Sequence, residues 1–234
     1  MKRNLFLSGL LIVILALGFT GCGNDDSDGD SNFLGAQLNI TDLPIYNVTE
    51  GEFGNPILGT RFTGSGTVHH GGFVDWGGAG FISVGGMGEI TDGLLTFTVG
   101  IPTQTRSIQQ AFSDLAEGFT NFNISAPDAR VAELERILAT AEGFNADLQR
   151  VWGNDTTDER IIYVYADRNV RVTGQGRTVE EQGFTLTTSN LNLDLRTGWN
   201  AITHTTTVNF ATMVVTQSIT QGVAGRTRWV LLTF

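Results

Sequence analysis

Apolar and polar residues alternate along most of this chain. Gln37-Leu38-Asn39-Ile40-Thr41, Leu94-Leu95-Thr96-Phe97-Thr98-Val99, Phe184-Thr185-Leu186-Thr187 and Leu191-Asn192-Leu193-Asp194-Leu195 all repeat at period two. Successive side chains of a strand point to opposite faces, so each run predicts a strand with one face buried. β-branched and aromatic residues reinforce the pattern. Turn signals separate the runs at Asp92-Gly93, Asp167-Arg168-Asn169, Thr197-Gly198 and Gly222 to Gly225. The fold class this predicts is mainly β and antiparallel.

Arg160-Ile161-Ile162-Tyr163-Val164-Tyr165-Ala166 departs from simple alternation, because both of its faces are apolar. Ile161, Tyr163 and Tyr165 share one face, and Ile162, Val164 and Ala166 the other. Such a strand belongs in the middle of a sheet covered by a second layer, which predicts a two-layer sandwich or a flattened barrel. After the Asp167 turn, Val170 and Val172 alternate with Arg171 and Thr173, so the two segments are expected to form a hairpin. The final run, Arg228 to Phe234, is expected to pair with Met213 to Ile219.

The centre of the chain carries a different period. Ser125-Ala126-Pro127-Asp128 supplies a capping residue, a proline suited to a first helical turn and a carboxylate for the positive helix end. Val131, Leu134, Ile137, Leu138 and Ala141 then recur at spacings of three and four, and Gly143 offers a stop. Ile108, Phe112 and Leu115 suggest a shorter helix before it. A central helical insertion is therefore expected over about 106–143, closing one end or face of the sheet core.

The N-terminus has its own logic. Lys2 and Arg3 precede an apolar run from Leu5 to Leu17, and Phe19-Thr20-Gly21-Cys22 follows with the chain's single cysteine. At about 1.5 Å per residue that run covers about 20 Å, short of the roughly 30 Å hydrocarbon core, so it reads as a cleaved signal and not as a span. The segment resembles the signal and lipobox of a bacterial lipoprotein. The resemblance implies a diacylglycerol on the Cys22 thiol and cleavage before it. Residues 22–32 contain four carboxylates and, after Cys22, no apolar side chain. They are expected to form a self-repelling tether. An acid-rich stretch after the lipidated cysteine also resembles that of lipoproteins displayed on the outer surface. The expected organisation is a signal peptide at 1–21, the lipidated cysteine and tether at 22–32, and one mostly β domain at 33–234.

Charge narrows the function. The chain carries a formal −10, and removal of Lys2 and Arg3 with the signal makes the rest more negative. Its arginines are scattered, with none between Arg61 and Arg106, so no basic face is expected for nucleic acid. Asn24, Asp26, Asp28 and Gly29 match half of a calcium loop, but Gly35 stands where the closing Glu belongs. Gly71 to Gly88 holds eight glycines, yet no cation or following helix completes a phosphate cradle.

Candidates for chemistry are sparse. Gly64-Ser65-Gly66 lacks the spacing of a nucleophile elbow. His69 and His70 adjoin each other and His204 is remote, with no recognised zinc-ligand spacing. Glu180-Glu181 is expected in a solvated hairpin loop. Asp75 beside Trp76 could serve as a ligand platform, a ring for a sugar with an acceptor next to it. The ending in Phe234 resembles the last strand of outer-membrane barrels, but the expected helix, the lipid anchor and the short strands suit a water-soluble domain better.

The combined expectation is an envelope lipoprotein anchored to the outer membrane, periplasmic or surface-exposed, with a binding or structural role and no enzymatic activity. Its partners would be the membrane, through the lipid, and a glycan or envelope protein; no metal or other cofactor is expected. A carbohydrate-binding or carbohydrate-processing lipoprotein is the alternative, and a carrier of an apolar ligand between sheet and helices is the third.

Overall fold

The computed structural model describes residues 33–50, 56–75, 80–181 and 183–233. The first part of the chain forms β1 (Phe33–Gly35), β2 (Leu38–Glu50), β3 (Pro56–Arg61), β4 (Gly66–Asp75), β5 (Gly80–Gly85), β6 (Met87–Thr91) and β7 (Leu94–Val99). After β8 (Arg106–Ser107) come two four-residue helices, α1 (Ile108–Ala111) and α2 (Ser113–Ala116). Then follow β9 (Phe119–Ile124), β10 (Arg130–Leu134), β11 (Arg136–Ala141), β12 (Phe144–Gly153), β13 (Thr157–Ala166) and β14 (Val170–Gly176). The chain finishes with β15 (Thr178–Glu181), β16 (Phe184–Thr188), β17 (Leu191–Leu195), β18 (Gly198–Asn209), β19 (Val214–Gln221) and β20 (Arg228–Thr233). The protein is mainly β, as its alternation predicts.

The strands do not make a two-layer sandwich with a central helix. Seven of them close into a barrel by the circuit β4, β11, β12, β20, β2, β7, β6 and back to β4. Closure removes the open edges that a sandwich keeps. Its interior is filled by large side chains: Trp229, Phe97, Ile45, Leu95, Ile137 and Leu148 are all 2 % exposed or less. Further strands continue outside the barrel. Near its end β12 pairs with β13 from Val151 to Gly153, and β13 pairs in turn with β10 and along its length with β18. β18 passes the sheet on to β19, β16 and β15, the β16–β19 pairing being parallel.

β13 carries the architecture. Ile161, Tyr163 and Tyr165 join the barrel core with Trp199 and Ala201, while Val164, Ala166 and the half-buried Ile162 join a second core. The division of its two faces read from the sequence is therefore the one formed. The second core is closed by a separate three-stranded sheet of β9, β14 and β17. Val170, Val172, Leu191, Leu193 and Leu195 supply its buried faces, and Ile108 of α1 with Phe112, between α1 and α2, fills one side. Ser107 caps α1 by accepting from the Gln110 backbone N–H at 3.2 Å.

Several expectations are corrected. The helix expected after Ser125 is not formed: Arg130–Leu134 and Arg136–Ala141 are strands β10 and β11. The Ala129 N–H donates to the Ala126 carbonyl at 3.0 Å, so Pro127 and Asp128 occupy a tight turn. Ser125 instead holds a strand edge, its Oγ accepting from the Arg171 N–H at 2.8 Å. Gly143, at φ +85, follows Glu142 at φ 50, and the two form a hairpin turn joining Ala141 to Phe144. The turn after Asp167 crosses between layers, because β14 pairs with β17 and β9 and not with β13. β20 pairs with β12 and, in parallel, with β2; it does not join β19.

Candidate functional site

The residues singled out in the sequence do not converge. Cys22, the 22–32 tether with its half calcium loop, and Trp76 lie outside the described residues, as does the expected signal. Asp75 is the last residue of β4, opposite Gly80. His69 Nε2 lies 2.7 Å from Thr140 Oγ1, whereas the His70 ring sits 5.3 Å from the Phe81 ring. His204 lies on β18, opposite Arg160 and Ile219. Among the described residues no group of three or more His, Cys, Asp or Glu side chains could hold a metal ion. Glu180 and Glu181 lie in β15 and not in a hairpin loop. Glu180 accepts a hydrogen bond from the Thr185 hydroxyl at 2.8 Å.

A band of charge follows the side of β12 that faces away from the barrel interior and continues onto β13. Asp147 is 1 % exposed; its Oδ2 accepts from Arg136 at 3.0 Å and from Gln149 at 3.1 Å. Burial pushes its carboxyl above the usual carboxylate value, against the opposing Arg136 charge. Nearby, Arg160 donates to Asp158 at 2.8 Å and lies 3.7 Å from Glu135. Burial, and after it the Arg160 charge, hold the His204 imidazole below its ordinary value. These groups compensate one another in pairs, which is how buried charge is tolerated.

The opposite face of the same strands is built differently. Cross-strand neighbours project to one side of a sheet, and the register places Thr157, Thr207, Thr216, Thr187 and Thr178 side by side on five consecutive strands. All five are half-buried or exposed. Thr157 and Thr207 share a hydrogen bond at 3.3 Å, and Thr178 and Thr187 another at 3.2 Å. The neighbouring rung runs Trp152, Glu159, Thr205, Ser218. There the Arg226 guanidinium lies 3.6 Å from the centre of the Trp152 ring and donates to Glu159 Oε2 at 2.7 Å. Burial falls away along β13, from Ile161 at 1 % exposed through Glu159 at 7 % to the half-buried Thr157. The threonine rung thus lies where the sheet runs out past the barrel core.

The sequence reading missed this rung. Its trace is the Thr-x-Thr spacing at Thr185-Leu186-Thr187 and at Thr203-His204-Thr205-Thr206-Thr207, which places hydroxyls on one face of each strand but not beside those of another.

Comparison of the chain with protein-family models, curated proteins and solved structures finds no match.

Proposed function

We propose that this chain is a bacterial envelope lipoprotein, anchored through Cys22, whose folded domain works by binding at its outer surface. The observation that carries the reading of the domain is its filled interior: Trp229, Phe97, Ile137 and Leu148 occupy the space in which a barrel would otherwise hold a ligand. The second core is packed as well, with Ile108, Val131, Val164 and Leu193 completely buried. A carrier of apolar ligands is accordingly the weaker reading. The anchor rests on the cationic start, the apolar run and the lone cysteine at its end. Two or more acyl chains hold a protein stably at a bilayer, so the domain needs no membrane-binding surface. β6, β7, β11 and β20 are five or six residues long, short of the roughly 9–11 that a membrane-spanning strand requires. Among the described residues no helix is long and apolar enough to cross a membrane.

Metabolic labelling with a palmitate analogue tests the anchor. The wild-type chain should incorporate label and Cys22→Ala should not. Label retained by Cys22→Ala would remove the lipoprotein reading.

A further inference from the structure

We propose that the threonine rung, with the Trp152–Arg226 pair at its flank, is a docking face for a neutral polysaccharide chain laid across the strands. This deepens the surface-binding reading of the domain and is independent of the anchor.

Charge selects the partner. The chain as a whole carries −10, yet Thr157, Thr207, Thr216, Thr187 and Thr178 form a rung with no ionisable group. The nearest carboxylates on that face are engaged, Glu159 by Arg226 and Glu180 by the Thr185 hydroxyl. The other face of the same strands holds Asp158, Arg160 and His204. An acidic partner is repelled by the net negative charge, whereas an uncharged polyhydroxyl chain can replace the water on the threonine hydroxyls with bonds of its own.

Geometry selects the shape. Strands lie about 4.7–4.9 Å apart, so the rung offers one hydroxyl per strand at a repeat comparable with the rise of one sugar along an extended polysaccharide. Each threonine hydroxyl has one donor and two acceptor positions, as sugar hydroxyls do, so the bonds shared by Thr157 with Thr207 and by Thr178 with Thr187 leave capacity for a ligand. Adjacent strands rotate by about 20–25°. A flat crystalline surface would therefore meet only neighbouring threonines, whereas a single chain can turn with the rung. At the Trp152 end, Arg226 stays 51 % exposed while stacked on the indole. Its Nε and Nη2 are held by Glu159, and the guanidinium edge, not its face, carries the remaining N–H donors that a sugar hydroxyl beside it can meet.

The test is affinity electrophoresis of the full chain carrying Cys22→Ala, so that the result does not depend on lipidation. Native gels would contain hydroxyethylcellulose, arabinoxylan or galactomannan as neutral polymers and polygalacturonate as an acidic one. At least one neutral polymer should retard the protein. Thr207→Val combined with Thr216→Val keeps the β-branched shape but removes two hydroxyls, and should weaken retardation at least tenfold. Thr120→Val on the separate sheet should leave it unchanged. Thermal unfolding checks the variants; should the double variant be unfolded, Thr216→Asp, at an exposed rung position, should abolish retardation alone. The proposal fails if no neutral polymer retards the chain, if retardation survives these substitutions, or if only polygalacturonate retards it.

Discussion

His204 shows how one residue's surroundings set its chemistry. It lies in β18 opposite Arg160 and faces Asp158 and Glu135 as well. Burial contributes most to lowering its pKa and the Arg160 charge adds to it, while the two carboxylates oppose. The unfolded chain therefore binds this proton more readily than the native protein does. Stability linked to neutral His204 is present above the unfolded value of about 6.5 and is lost as pH falls through the lower native value. A ring-proton titration should place the native midpoint below 6.5, and His204→Gln should flatten the loss of stability on the acid side of that value. An unchanged slope would mean that His204 titrates freely in solvent. Its register partner on β13 is a cation, Arg160, which disfavours a second positive charge on the imidazole.

The segment from Val131 to Ala141 is where reasoning at the scale of one element failed. Val131, Leu134, Ile137 and Ala141 satisfy a helical stripe, but Ile137, Ala139 and Ala141 also satisfy a strand, and β11 buries those three while Leu138 and Thr140 face the other way. Short apolar segments fit both periods, and partners in the sheet decide between them. β11 has two, β12 and β4. The two structures differ at Leu138: a helix puts it on the same stripe as Ile137, a strand on the opposite side. Ile137→Ala should cost about 2–5 kcal/mol, as expected for a fully buried aliphatic side chain. Leu138→Ala, at a half-buried position beside Asp147, should cost less than half as much in chemical denaturation. Equal costs would favour the helix. A short helix was legible from the spacing of Ile108, Phe112 and Leu115, where α1 and α2 stand, but the Ser107–Gln110 capping box that starts α1 was not read.

In the molecule as a whole, β13 serves two cores. Ile161 and Tyr163 belong to the barrel, Val164 and Ala166 to the core beneath the three-stranded sheet. Neither core can lose its packing without disturbing the strand that the other uses, which predicts one cooperative unit. Leu148→Ala in the barrel and Leu193→Ala in the second core should each lower the midpoint of the same thermal transition, by about 2–4 °C per kcal/mol for a domain of this size. Near- and far-ultraviolet dichroism should remain coincident throughout. Two resolved transitions, each moved by one substitution alone, would show that the barrel and the covering sheet unfold separately.

What the sequence determined by itself was local. Period two made the chain mainly β; the double apolar face of Ile161 to Ala166 made β13 internal; Asp92-Gly93, with φ of 50 and 73, made the hairpin between β6 and β7. Each of these depends on residues a few positions apart, whose preferred dihedrals and faces act before any distant contact forms. Tertiary structure alone decided which strands meet. It set β4 against β11 and β2 against β20, closing the barrel, and it sent β14 away from β13 into another sheet. It also brought Thr157, Thr178, Thr187, Thr207 and Thr216 from five separate strands onto one line. Strand pairing between distant segments depends on burying both cores at once, a property of the closed molecule that no single run of residues carries.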